Sequence, residues 1–230
     1  MDIIKLLVLA LAPVFAIIIY VYFKDKYEKE PLHLLFKCFF WGVLSIIPAL
    51  LLEILAGKLS IFTGTDFHSV ALYAFVGVGL SEEFSKFIFL RFFAFKNKNF
   101  NEPFDGIIYA VMISMGFAAT ENILYVMEGG STVAWLRMFT AVPAHAAFAV
   151  LMGYYVGKAR FSESNRFLLL FNGLLIAVVF HGAYDLFLML KDYSGLVIFS
   201  FITLVTGIIL SIKTIKKSSE SSPFKRWRFK

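Results

Sequence analysis

"VALYAFVGVGLSEEFSKFIFLRFFAF", residues 70–95, is long and apolar enough to cross a bilayer, yet it holds Glu82, Glu83 and Lys86 near its middle. A spanning helix needs about 20 mostly apolar residues. A charge at its centre costs about 2.5–3.5 kcal/mol on insertion scales. The stretch therefore reads as a membrane helix whose charges face the interior of a helix bundle and act there.

The rest of the chain agrees with that reading. Of its 230 residues 60% are hydrophobic and 17% charged, and the mean hydropathy is +0.79. A soluble domain of this length cannot hide so many apolar side chains. Unbroken apolar runs, rather than short alternating strands, exclude an outer-membrane barrel. The expected fold class is all-α, a polytopic integral membrane helix bundle.

Seven spans are expected, at roughly 3–23, 33–56, 69–95, 107–128, 132–157, 167–190 and 194–212. The first is too long for a signal-peptide core and no small-residue cleavage site follows it, so it counts as a true span. The linkers are short and polar. Residues 1–212 read as a single membrane domain and 213–230 as a basic tail.

Charge orients the bundle. Of 22 Lys and Arg, 17 fall on the face formed by "KDKYEKEP", "FKNKNFNEP", "GKARFSESNR" and the tail. Lys5, Lys58, Arg137 and Lys191 fall opposite, and Lys86 lies within a span. The positive-inside rule makes the basic face cytoplasmic, with the N-terminus outside and the C-terminus inside. The net charge of +6 thus reports topology rather than a nucleic-acid partner. The tail's basic-aromatic end, Lys225 to Lys230, fits a solvated anchor or contact with anionic lipid. The single cysteine, Cys38, reads as a buried small residue, and no thiolate metal site is present in the pattern.

The polar residues inside spans are few: Glu82, Glu83, Lys86, Glu121, Asn122, His145, His181 and Asp185. Glu82 and Lys86 lie about 40° apart around a helix, and Lys86 projects between the two carboxylates. Two close carboxylates titrate as a coupled unit, and a lysine beside them neutralises one. Such a pair supplies a general base near neutral pH. His181 and Asp185 are one turn apart, so the Asp can fix the imidazole tautomer. His145 sits among small residues that permit close helix approach. Measured from the outer boundaries, Glu82 and His145 lie about 20 Å deep, His181 about 14 Å, Glu121 about 10 Å and Asp185 about 8 Å, depths compatible with one pocket. His33 and His68 read as interfacial; Glu53, Asp105 and Glu128, near span ends, read as wet.

"EEFSK" in the third span, "FAATEN" in the fourth, His145 in the fifth and "HGAYD" in the sixth resemble, in order, the motifs of the PrsW family of bacterial intramembrane proteases. That family is distantly related to the CAAX-type prenyl endopeptidases. The resemblance covers roughly residues 20–190. It implies a multi-pass protein of the bacterial plasma membrane that makes the first cut in a single-pass anti-sigma factor. It also implies Glu82 and Glu83 as catalytic acids and His145 and His181 as pocket histidines. Lys86, Glu121, Asn122 and Asp185 support them. One departure from the CAAX-type pattern is Glu121, one turn after Phe117, where those enzymes place a histidine.

The mechanism expected from these residues is glutamate-dependent hydrolysis with no metal or other cofactor. Glu82 or Glu83 activates a water near His181, and His145, with Asn122, stabilises the oxyanion. Two readings compete. A zinc protease would use the same histidines and carboxylates, without an HExxH motif. A proton-coupled transporter would use them as a relay, against which stand the odd span count and the lack of a two-half repeat.

Overall fold

The computed structural model describes residues 3–190 and 194–227. Lys191 and the tail's Arg228, Phe229 and Lys230 lie outside the described residues. The described chain is helical throughout: α1 (Ile3–Lys24), α2 (Leu32–Ala56), α3 (Phe67–Leu72), α4 (Ser81–Phe89), α5 (Pro103–Phe139), α6 (Ala141–Arg160), α7 (Arg166–Met189) and α8 (Val197–Glu220). Five stretches are long and apolar enough to cross a membrane: α1, α2, the 58 residues of α5 and α6 together, α7 and α8. Large apolar side chains such as Phe36, Phe139 and Phe167 lie on the outside, as a lipid-facing surface requires. In α2 the buried positions include small ones, Cys38, Gly42, Ser45 and Ala49. Small residues let helix backbones approach where lipid removes the hydrophobic drive to associate.

One of the expected spans needs correction. The third is not one regular helix. It is helical from Phe67 to Ala94, but π-helical turns over Tyr73–Leu80 and Leu90–Ala94 bracket α4. A π-turn inserts a residue and re-aims the helix beyond it, and such turns concentrate at functional sites. The first accommodates α7 at close range: a Cβ on Gly79 would lie 3.2 Å from the Gly182 nitrogen, and one on Gly182 would lie 2.8 Å from the Phe75 Cα. The fourth and fifth spans meet at "EGGST", as expected. Helix α5 breaks at Gly130, whose φ is 68°, a left-handed value that glycine adopts without steric cost. The chain reverses there, so that Arg137 comes back to Glu121 and Asn122, and it passes through a bend at Thr140 into α6.

Beyond that reversal the end of α5 and then α6 run antiparallel to the first part of α5. Ser114 Oγ donates to the His145 carbonyl at 3.0 Å, and a Cβ on Gly157 would overlap the Pro103 carbonyl. Both helices are buried along most of their length, so the hairpin is the core around which the others stand.

The basic loops gather on one rim. Asn101 Nδ2 donates to Glu28 at 3.1 Å, Arg160 Nε donates to the Phe100 carbonyl at 3.4 Å, and Ser219 Oγ donates to the Lys24 carbonyl at 3.4 Å. Helix α8 runs past residue 212 into this rim.

Candidate active site

Lys86 organises the site. Its ammonium lies 3.0 Å from Glu82 Oε2, 2.8 Å from Glu83 Oε1 and 3.1 Å from His145 Nδ1, and 4.1 Å above the Phe117 ring. All four polar residues are buried. Helical spacing of i, i+3 and i+4 puts both glutamates within reach of Lys86. An unpaired charge at this depth would be strongly unfavourable, so each ion depends on the others.

His181 meets the same cluster from α7. Its Nδ1 lies 2.8 Å from Glu83 Oε1, and its Nε2 lies 3.2 Å from Asp185 Oδ2 and 3.8 Å from Glu82 Oε2. The close Gly79–Gly182 crossing brings the α7 backbone near enough for these contacts. The two imidazoles stand edge to face with centroids 5.3 Å apart.

A lysine ammonium only donates, so His145 Nδ1 accepts from Lys86 and Nε2 carries the ring proton. That nitrogen lies 2.8 Å from Glu121 Oε2. Arg137 Nη2 pairs with the same oxygen at 2.9 Å. Asn122 stands apart. Its Nδ2 donates to the Ala10 carbonyl at 2.7 Å and its Oδ1 accepts from Arg137 Nε at 2.7 Å. Both ends are engaged in tying α1 to α5, away from an oxyanion role.

A cavity of about 440 Å³ opens beside the cluster, toward the ends of α2 and α7 remote from the basic rim. Glu82, Glu121, His145, His181 and Asp185 line it; Glu83 and Lys86 lie behind its wall. The wall also holds Arg137 and Glu53. Sequence reasoning missed both. Arg137 reads as an outer-face charge until the Gly130 break turns the end of α5 back toward Glu121. Glu53 reads as wet because it is near a span end, and the structure leaves it half-buried at the cavity. Asp105 is a second correction of that kind: it is fully buried, because its Oδ2 accepts from the Asn101 and Glu102 amides at 2.7 and 2.8 Å at the start of α5. His33, His68 and Glu128 are exposed and Cys38 is buried and free, as expected.

The family described as PrsW family intramembrane metalloprotease matches residues 30–211, which contain every member of the cluster. The chain belongs to the PrsW family. Protease PrsW of Geobacillus kaustophilus is 38% identical over 184 residues, 80% of either chain. Protease PrsW of Shouchella clausii is 31% identical over 94% of this chain and 98% of its own. That of Bacillus subtilis is 36% identical over 77% of this chain and 80% of its own. No solved structure matches. This PrsW-family chain is accordingly a bacterial multi-pass intramembrane protease.

The family description names a metal, so the donor set matters. Glu82, Glu83, His145 and His181 each offer one ligand atom, all within 4.8 Å of one another. Two histidines with a carboxylate are a known catalytic zinc set. These residues fit such an ion in type and proximity. Lys86 is the competing feature: its ammonium already contacts three of the four.

Proposed function

We propose that this PrsW-family protease cuts a single-pass membrane anti-sigma factor, with Glu82 as the general base. The substrate class follows the family resemblance; the observation that carries the choice of base is the asymmetry of the glutamate pair: Glu82 borders the cavity and Glu83 does not. A base must reach the water it deprotonates.

In this mechanism Glu82 takes a proton from a water held between it and His181. The hydroxide adds to the scissile carbonyl carbon. His145 turns its Nε2–H from Glu121 to the oxyanion and stabilises it, while Arg137 stays paired with Glu121 on the same wall. Glu82 then returns its proton to the leaving amine as the C–N bond breaks. Glu83 fixes His181 at Nδ1, Asp185 holds it at Nε2, and Lys86 offsets the charge of both glutamates.

A second reading is favoured by the convergence of Glu82, Glu83, His145 and His181. Glu82 and the two histidines would hold a zinc ion, which would supply Lewis-acid activation of water and carbonyl. Lys86 would then neutralise Glu83.

The test is co-expression of tagged single-pass anti-sigma factors from the source organism with wild type or Glu82→Gln. A product that needs wild type, at equal protein levels, supports the assignment; cleavage by both forms removes Glu82 from it. Near-stoichiometric zinc in the purified active protein would select the second reading.

A further inference from the structure

The basic rim contains a pocket of opposite charge. Asp25, Glu28 and Glu30 come from the α1–α2 loop, and Glu102 and Asp105 from the start of α5. Asp25, Glu30, Glu102 and Asp105 are buried. Part of this cluster is accounted for. Tyr109 Oη donates to Glu30 Oε2, Ser222 Oγ donates to Glu102 Oε2, Asn101 Nδ2 donates to Glu28 Oε1, and two backbone amides satisfy Asp105 Oδ2. Lys29 faces Asp25, and its Nζ donates to the Tyr22 carbonyl.

What is left over is specific. Glu28 Oε2, Glu30 Oε1, Asp105 Oδ1 and Asp25 Oδ1 are buried and have no hydrogen-bond partner among the described residues. Glu28, Glu30 and Asp105 each offer an oxygen, and the three atoms lie within 4.8 Å of one another. Buried carboxylate oxygens without donors are costly, and each needs a cation, a proton or water. Oxygens on opposite sides of a calcium ion are about 4.6–5.2 Å apart, twice a bond of 2.3–2.6 Å. An all-oxygen set without histidine or cysteine selects hard cations.

We infer that Glu28, Glu30 and Asp105 form a second site, distinct from the protease centre, that binds a hard divalent cation of the Ca²⁺ or Mg²⁺ class. Asp25, whose Oδ2 accepts from the Glu30 amide at 3.4 Å, stands beside this set and outside it. The ion would clamp the α1–α2 loop onto the start of α5. Through Glu102 and Ser222 it would also steady the segment after α8.

The experiment is calorimetric titration of the full chain in detergent with Ca²⁺, and separately with Mg²⁺. The expected result is one site, retained in Glu82→Gln. Even outer-shell partners of a metal are worth about ten-fold in affinity, so Glu30→Gln and Asp105→Asn should each weaken binding by at least that. Should either fail to fold, Glu28→Gln in the half-exposed loop must show the same loss. Absence of binding by wild type overturns the site, leaving the carboxyls to share protons instead. So does binding that survives all three substitutions, or binding lost only in Glu82→Gln, which places the ion at the protease centre.

Discussion

Lys86 Nζ and His145 Nδ1 lie 3.1 Å apart, and that contact fixes the proton of His145 on the nitrogen that faces Glu121. One lysine thus sets a tautomer on α6 while holding two carboxylates on its own helix. Replacing it by methionine leaves both acids buried without a cation. Breaking a buried ion pair from one side costs about 3–5 kcal/mol. We expect Lys86→Met to lose activity and to melt markedly earlier in detergent; wild-type melting would show that the ammonium is dispensable to the fold.

The two glutamates should separate in their effects. Loss of a general base costs about 10²–10⁴-fold in rate. Glu82→Gln should show that loss with a smaller drop in melting temperature than Glu83→Gln, because Lys86 keeps Glu83 as its partner. Glu83→Gln gives up contacts to Lys86 and His181 away from the cavity, and should lower stability as well as rate. Equal profiles for the two variants would contradict the division of roles.

Arg137 and Glu121 should be coupled. Arg137→Gln alone strands Glu121, and Glu121→Gln alone strands Arg137. Contacting charged residues show interaction terms of about 0.5–3 kcal/mol in double-mutant cycles. Unfolding of the two single variants and the double variant measures this, and additivity would mean that the pair is solvated.

Helix crossings depend on missing side chains. Gly157→Ala places a Cβ against the Pro103 carbonyl, backbone that cannot rotate away. Overpacking of this kind costs about 1–3 kcal/mol. We expect lower thermal stability from Gly157→Ala and no such loss from Gly195→Ala, where a Cβ meets open space.

The acidic rim gives a pH signature. Burial raises Asp25, Glu30 and Glu102 to about 7, from ordinary values of 3.8, 4.5 and 4.5. A raised carboxyl means that the folded state binds more protons than the unfolded state between those values. Stability therefore falls as pH rises from about 4 to about 7. Melting curves without divalent cation should show this slope, and Glu102→Gln should reduce it. A steeper slope in the variant would reverse the argument.

Much of this was legible in the sequence, for physical reasons. Apolar composition decides the class. Charges inside apolar runs are rare enough that each one marks the bundle interior, so Glu82, Glu83, Lys86, His145, His181 and Asp185 can be found without coordinates. Helical spacing also joins Lys86 to both glutamates, because those contacts are local. What spacing does not reveal depends on backbone breaks and on tertiary contacts. Arg137 reaches Glu121 only through the reversal at Gly130. The π-turns around α4 have no hydropathy signature. Asn122 has the composition of a site residue, but its partners, Ala10 and Arg137, come from elsewhere in the fold.

The dimensions of the cavity bear on how a substrate is chosen. An α-helix about 10–12 Å across rising 5.4 Å per turn sweeps roughly 400–600 Å³ in one turn. The space beside Glu82 is about 440 Å³, the scale of a short segment rather than of a whole span. In an intact helix each carbonyl is held by an i→i−4 hydrogen bond and flanked by side chains, so the segment to be cut is open to attack where it is unwound. Unwinding inside hydrocarbon strips backbone amides of their partners and is costly. Selection would then act on local helix stability as much as on side-chain fit. Glycine, or a helix end near the interface, would mark a bond as accessible, whereas a rigid leucine-rich span of equal length would resist the enzyme.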